Sequence, residues 1–231
     1  YCTFCHALAQ PFAIGTTRYT SLASALDAAQ AGNTVCLRGD KKLSGSDIGI
    51  EINKNIILDL CGHTLRCDQE QPVLCITASD VTIRNGSVEN ICRAKPIGAV
   101  QVGKFNQTGA GLTVENVTFT GSEGGGNVPR ANALNISSGN RAVVKSGTFT
   151  GNIYVAGSLT MEGGSTDQLG VDPLATEIVL SGGSFDSIKV ENSSITYASL
   201  LKTGYVYQNS ENRIIEPEDM SDSIAVKVVK C

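Results

Sequence analysis

The N-terminal segment CTFCH is a short stretch whose residue types and spacing suit a defined chemistry, because it combines Cys2, Cys5 and His6. A C-x-x-C-H pattern attaches a c-type haem through two thioether bonds, with the histidine as axial ligand. The same side chains are zinc ligands, but a zinc site needs a fourth, and the sequence has no second C-x-x-C or H-x-x-x-H pair. A truncated segment with a local disulfide, or a cysteine knuckle left from a preceding domain, also fits the pattern. We expect no cofactor and no metal site.

The chain contains eight cysteines, an even number that permits disulfide bonds in a secreted protein. The sequence does not select among the many possible pairings. Cys36 and Cys75 lie inside the apolar runs TVCLRG and VLCITAS, where a free cysteine behaves as a small hydrophobic residue. Both disulfides and free structural thiols are therefore compatible with the sequence.

A strand-like segment recurs along the chain, with apolar residues at its first and third positions and a small or amide-bearing residue at its fifth. Its copies begin at Leu58, Val81, Leu112, Ala142, Leu159 and Ile178. This alternation predicts a strand with one buried face, and glycine or asparagine tolerates the sharp bend that would follow it. The eighth position begins a second strand with an inward residue. It holds Leu65, Val88, Phe119, Phe149, Thr166 and Phe185.

The spacing of these copies favours a β-solenoid, in which each copy forms part of one coil. Successive copies begin 17 to 31 residues apart, and units of this size stack because they cannot bury their apolar face alone. Stacked coils place parallel strands about 4.8 Å apart. The two longest intervals predict loops that start at Gly103 and Gly121. We therefore expect a single all-β domain.

The front of the solenoid is expected to carry a helical cap, because an open solenoid exposes unpaired strand edges. An amphipathic helix is predicted at about residues 20–31, with Ser21 as its N-cap. Its apolar stripe consists of Leu22, Leu26 and Ala29.

The domain boundaries follow from this arrangement. The coils are expected at about residues 33–195, and a C-terminal cap at about 196–231 combines a helical turn with the alternating strand SIAVKVVK. Residues 1–18 are interpreted as a lead segment or the remnant of a preceding domain. Residues 19–231 then form one domain that includes both caps.

Several motifs resemble a known superfamily. The segments GNTVCL and IEINKNIILDLCGHTL resemble the opening of right-handed parallel β-helix proteins of the pectate-lyase-like superfamily, over roughly residues 19 to 195. LDLCGHTL is similar to the LDLNGHTL of β-helix modules in large secreted or wall-attached proteins of Gram-positive bacteria, with Cys61 in place of the usual asparagine. LLKTGYVY matches a segment that often closes such modules. The resemblance implies a single right-handed parallel β-helix.

The superfamily includes lyases, hydrolases, adhesins and inert stalks, so the fold alone does not assign a function. Its enzymes act on polysaccharides through carboxylates that hold calcium beside a basic residue, or through paired acidic residues. At the fourth repeat position, consecutive coils are expected to stack side chains of alternating charge. These are Arg84, Glu115, Lys145 and Glu162. Such a column neutralises itself and brings no two carboxylates together, so we expect no catalytic residues and treat the four as candidate binding residues.

The overall charge excludes two kinds of partner. A net charge of −4 gives no basic footprint for nucleic acid or for an anionic membrane surface, and no apolar run is long enough to insert into a bilayer. We therefore expect a non-catalytic, secreted or cell-surface module, structural or adhesive, that is a monomeric part of a larger chain. Its partner would be a glycan or a host surface protein. The alternative is a polysaccharide lyase or glycoside hydrolase.

Overall fold

The computed structural model describes residues 10–123 and 130–231. The motif at Cys2, Cys5 and His6 lies outside these residues, as does the centre of the loop predicted from Gly121. The helices are α1 (Leu22–Ala28) and α2 (Tyr197–Leu200), with 3-10 turns at Gly45–Asp47 and Pro217–Asp219. The strands are β1 (Phe12–Ile14), β2 (Thr17–Tyr19), β3 (Thr34–Leu37), β4 (Lys41–Lys42), β5 (Ile50–Ile52), β6 (Ile57–Asp59), β7 (Thr64–Cys67), β8 (Leu74–Ile76), β9 (Val81–Asn90), β10 (Val100–Val102), β11 (Gly111–Thr120), β12 (Leu134–Ile136), β13 (Arg141–Val144), β14 (Gly147–Val155), β15 (Ser158–Met161), β16 (Ser165–Val171), β17 (Glu177–Leu180), β18 (Ser184–Val190), β19 (Tyr205–Gln208), β20 (Ile214–Ile215) and β21 (Val226–Lys230).

Most strands belong to three parallel stacks, which we call the first, second and third faces. The first face contains β3, β6, the starts of β9 and β11, then β13, β15 and β17. The second contains β4, β7, the ends of β9 and β11, and the starts of β14, β16 and β18. The third contains β5, β8, β10, β12 and the ends of β14, β16 and β18. This arrangement confirms the predicted all-β, solenoid-like fold.

The pairing register confirms the predicted alignment of the second strands. Leu65, Val88, Phe119, Phe149, Thr166 and Phe185 are successive cross-strand partners. On the first face the copies from Val81 onward also pair as aligned.

The alignment of the first copy is wrong by two residues. Leu58 lies opposite Ile83 rather than Val81, whereas Leu65 keeps its predicted partner Val88. Two extra residues in the corner between β6 and β7 cause the shift. Within that corner the His63 N–H donates to the Leu60 carbonyl at 2.8 Å. As a consequence, Asp59 lies at the level of the predicted charged column.

The inward residues of the three faces form one apolar core. Phe119 and Phe149 pack edge to face in neighbouring coils, with ring centroids 5.5 Å apart and an interplanar angle of 86°. Thr166 follows in the same column, and its buried hydroxyl donates to the Gly151 carbonyl at 3.1 Å. The polar group of Thr166 is therefore satisfied inside a largely apolar column.

The N-terminal cap joins α1 to a small antiparallel arrangement in which β1 pairs with both β2 and β3. Residues 12–19 are therefore continuous with the first coil, and Phe12 is fully buried. Ser21 is the N-cap of α1 as predicted, because its hydroxyl oxygen accepts a hydrogen bond from the Ser24 N–H at 3.1 Å. The three residues of the predicted apolar stripe are all buried.

Helix α1 is shorter than the predicted span of residues 20–31. It ends at Ala28 because Ala29 adopts an extended backbone. The Lys54 ammonium group donates to the carbonyls of Asp27 at 2.8 Å and Ala29 at 2.9 Å, and so satisfies acceptors that the helix leaves open.

The C-terminal cap contains both elements that the sequence predicts, a helical turn (α2) and a final strand (β21). Strand β21 pairs antiparallel with β19 and with the start of β18. Tyr207 is fully buried, and its hydroxyl donates to the Tyr197 carbonyl at 2.8 Å. The change from parallel to antiparallel pairing closes this end of the stack.

Candidate functional site

The structure brings the four predicted charged residues into one column on the first face and adds a fifth. Asp59 is the cross-strand partner of Arg84, and Arg84 is the partner of Glu115. Lys145 and Glu162 follow directly after Val144 and Met161, which continue the same register. We call Asp59, Arg84, Glu115, Lys145 and Glu162 the charge ladder. Their signs alternate along the stack, as the sequence predicts for the last four.

The strongest contact in the charge ladder joins Asp59 and Arg84. Arg84 Nε donates to Asp59 Oδ2 at 2.7 Å, and the Asp59 side chain is only 12% exposed. Burial acts to raise the pKa of Asp59, but hydrogen bonds from Arg84, the Cys61 N–H and Asn85 outweigh it and hold that pKa below its usual range. Asp59 is therefore an ionised group fixed in place, not a proton donor.

The middle of the charge ladder is more accessible. Lys145 Nζ donates to Glu115 Oε1 at 2.8 Å, with side chains 51% and 33% exposed. The hydrogen bond to Glu115 raises the pKa of Lys145, and Glu162 contributes a smaller effect in the same direction. Exposed pairs of this kind add little stability, so these charges are free to exchange partners with a ligand.

A shallow groove runs beside the charge ladder, at the corner where the first face turns into the second. It encloses about 280 Å³ and crosses several coils. We call it the corner groove. It is lined by Gly62, Asn85, Gly86, Ser87, Asn116, Val117, Thr118, Gly147 and Thr148.

Two asparagines form the ladder side of the corner groove. Asn85 and Asn116 directly follow Arg84 and Glu115, and both have a left-handed backbone, with φ values of 58° and 53°. Asparagine tolerates this conformation better than most residues. Asn116 Nδ2 donates to Asn85 Oδ1 at 3.4 Å, so the two amides stack in neighbouring coils.

Hydroxyl groups form the other side of the corner groove. Ser87, Thr118 and Thr148 are successive cross-strand partners on the second face, and they point outward. Amide and hydroxyl groups supply donors and acceptors at the repeat distance of the coils, about 4.8 Å. This arrangement suits the recognition of an extended polar chain that follows the stacking direction.

Among the described residues, the carboxyl groups whose pKa values are displaced are displaced downward. No group of three or more His, Cys, Asp and Glu side chains within residues 10–123 and 130–231 is placed to hold a metal ion. Hydrogen bonds, chiefly from Lys104 and Lys42, hold the pKa values of Glu51 and Asp68 below their usual range. The general acid of a glycosidase needs a pKa that is raised above the usual range of a carboxyl group.

Sequence reasoning misses Asp59 and the asparagine pair. The repeat alignment places Asp59 at the second position of the recurring segment, whereas the charged column is predicted at the fourth. The two-residue insertion after Asp59 is the signal that could correct the alignment of this first copy. Cys36 and Cys75, which lie inside apolar runs of the sequence, are free thiols in the structure. Both occupy outward, half-buried positions on their strands, whereas Cys67 and Cys92 are the buried cysteines among those described.

Comparisons with protein-family models, with curated proteins and with solved structures find no match for this chain. Within the part of the chain that the structure describes, no helix has the length and apolar character needed to cross a membrane.

Proposed function

We propose that the chain is a non-catalytic secreted or cell-surface module, structural or adhesive, folded as a single right-handed parallel β-helix. Parallel strands joined by crossovers are right-handed in nearly all proteins, and the three parallel faces support this geometry. Both ends of the stack carry antiparallel caps, which suits a module inserted in a longer chain.

The adhesive role uses the charge ladder and the corner groove as one surface, with a glycan as the ligand. The observation that carries this proposal is the continuous run of stacked amides and hydroxyls beside Arg84 and Lys145. Sugar hydroxyls need paired donors and acceptors at regular spacing, and solenoid faces provide such repetition. The ladder cations add affinity for acidic glycans.

Binding to a glycan array tests this role, with the double variant Arg84→Gln and Lys145→Gln against wild type. We expect saturable binding that weakens about tenfold or more in the variant, because each lost charge-assisted hydrogen bond contributes on the order of 1.5 kcal/mol. Lys189→Gln is the matched control, since Lys189 is also ion-paired, to Glu191 at 2.6 Å, but lies on the third face.

A second pair of variants tests the corner groove itself. Thr118→Val removes a hydroxyl from the groove, and Thr113→Val removes one from the same strand outside the groove. We expect only Thr118→Val to weaken binding. Equal effects of the two variants would remove the groove from the proposal.

The alternative function, a polysaccharide lyase or glycoside hydrolase, is tested by incubation with acidic and neutral polysaccharides, with and without calcium. We expect no release of unsaturated or reducing ends. Their appearance would replace our proposal with the enzymatic one. If the chain binds host surface proteins but no glycan, the adhesive role stands and the ligand is a protein. If it binds neither, the remaining role is that of a structural spacer.

A further inference from the structure

Four cysteines at the front of the solenoid form two pairs with the same spacing, one on the outer side of the strands and one buried. Cys36 lies in β3 directly opposite Asp59, and Cys61 follows Asp59 by two residues. Cys67 lies in β7 directly opposite Asn90, and Cys92 follows that residue by two. In both pairs the cysteines are therefore 25 residues apart, which is the 23 residues from one coil to the next plus two.

Both pairs also share one hydrogen bond at the turn, although Cys61 has a left-handed backbone with a φ of 51° and Cys92 does not. The Cys61 N–H donates to Asp59 Oδ1 at 3.0 Å, and the Cys92 N–H donates to Asn90 Oδ1 at 2.9 Å. Asp and Asn side chains that accept from the residue two places on form Asx turns, which bend the chain at a strand end. Each turn places its cysteine next to the coil that carries the other member of the pair.

The surroundings of the thiols agree with this proximity. Cys61 is an exposed residue, but partial desolvation of its thiol is the largest cause that raises the pKa of Cys61, to about 12, and the adjacent Cys36 thiol is the next. Burial likewise raises the pKa of Cys67, and Cys92 is one of the neighbours that add to it. Cys75 contrasts with these residues, because its cross-strand partners are Glu51 and Gln101.

We propose that Cys36 with Cys61 and Cys67 with Cys92 form two disulfides, each of which closes one coil of the solenoid. All four are thiols in the structure, so each bridge requires oxidation. A small-molecule disulfide such as glutathione disulfide supplies it: one protein thiolate attacks the disulfide and releases one thiolate, and the second cysteine displaces the other. One protein S–S bond forms, two glutathione thiols leave, and two electrons pass from the protein to the oxidant.

The bridges would add a covalent restraint to the first coils of the stack. A terminal coil has a neighbour on only one side, and at this end the antiparallel pairing is limited to the short strands β1 and β2. A disulfide that closes a coil restricts the unfolded chain. In the cell the oxidation relies on the extracellular location proposed above, whereas the pairing itself does not.

The test is to equilibrate the folded chain in glutathione buffers of graded potential, block free thiols by alkylation, and map the peptides by mass spectrometry without reduction. We expect linked peptides that join Cys36 to Cys61 and Cys67 to Cys92. Reduction should lower the melting temperature by about 5–10 °C per bridge. The variants Cys61→Ala and Cys92→Ala should each lose one linked peptide, and reduction should then lower their melting temperature by the amount of one bridge only. The control variant Cys75→Ala should keep both links and the full decrease in melting temperature.

Links that join these four cysteines in any other combination would overturn the proposal, as would four fully alkylated thiols in oxidising buffer. Because the linked peptides are measured on the wild-type chain, the result does not depend on the folding of any variant. The outcome is also separate from the glycan-array result: disulfides can form in a chain that binds no glycan, and glycan binding can persist in a chain whose thiols stay free.

Discussion

The front and back coils of the solenoid turn the same corner, between the first and second faces, with different chemistry. In front, the Asp59 side chain organises the corner by accepting hydrogen bonds from Arg84 at 2.7 Å and from the Cys61 N–H at 3.0 Å. At the back, Gly164 and Gly183 occupy the corner with φ values of +97° and +106°. A Cβ atom on Gly164 would lie 2.7 Å from the Gly147 carbonyl oxygen.

The contrast shows two ways to fix a corner. Polar side chains fill a wide corner and satisfy its backbone groups, so the front can accommodate the two inserted residues after Asp59. Glycine instead lets a corner lie so close to the neighbouring backbone that no Cβ fits, as at Gly164 and also at Gly86 in β9. The copy of the recurring segment that begins at Leu159, LTMEGGSTD, contains Gly164. It is therefore the tight form of the same strand-corner-strand unit.

The largest expected effect comes from adding a methyl group to each kind of corner. Gly164→Ala should lower the free energy of unfolding by about 3 kcal/mol, because it combines a positive φ with a clash against backbone. Gly62→Ala should cost about 1 kcal/mol, since Gly62 has a φ of +84° but no atom within 4 Å of its Cβ position. Urea denaturation of both variants measures the difference in their free energies of unfolding. Equal losses of stability would contradict the inference that the front and back corners are of two kinds.

The second prediction concerns the charge ladder, which changes from partly buried at the front to exposed in the middle. Asp59→Asn should cost about 2 kcal/mol, because it leaves Arg84 without its ionic partner in a site where the carboxylate is only 12% exposed. Glu115→Gln is the matched variant and should cost less than about 1 kcal/mol. A larger loss for Glu115→Gln in urea denaturation would reverse this ranking.

The sequence predicts the regular parts of this fold because one physical constraint dominates there. Inward residues must alternate along each strand and align between coils, so the column from Leu65 to Phe185 can be aligned without a structure. The N-cap and the apolar stripe locate helix α1, but its end lies where Ala29 becomes extended, and Lys54, which donates to the last carbonyls, is distant in sequence and reaches them only after folding.

The candidate site is harder to predict because it depends on the corners. An insertion of two residues preserves the register on one side of a corner and shifts it on the other, so the repeat alignment places Asp59 two positions away from the ladder. The asparagine pair is recognisable as bend-forming residues, but its role as a groove wall depends on stacking. Repeated spacing is the available signal: the two cysteine pairs share one separation of 25 residues, two more than the 23-residue offset from each first cysteine to its cross-strand partner.

The third prediction concerns the pH dependence of the stability that Asp59 contributes at the front of the charge ladder, and it has the smallest expected effect. The folded pKa of Asp59 lies below its ordinary value of 3.8, so the unfolded chain binds more protons as the pH falls through this range. The stability that Asp59 contributes is therefore complete above about pH 4 and is lost as the pH falls through the folded pKa.

Free energies of unfolding measured from neutral to acidic pH check this for wild type and Asp59→Asn. The difference between the two proteins should shrink as the pH falls through the acidic range. Glu51 and Asp68, whose pKa values are also lowered, are present in both proteins and cancel in the difference. A difference that stays constant with pH would mean that the introduced amide disturbs the corner by its shape rather than by the loss of charge.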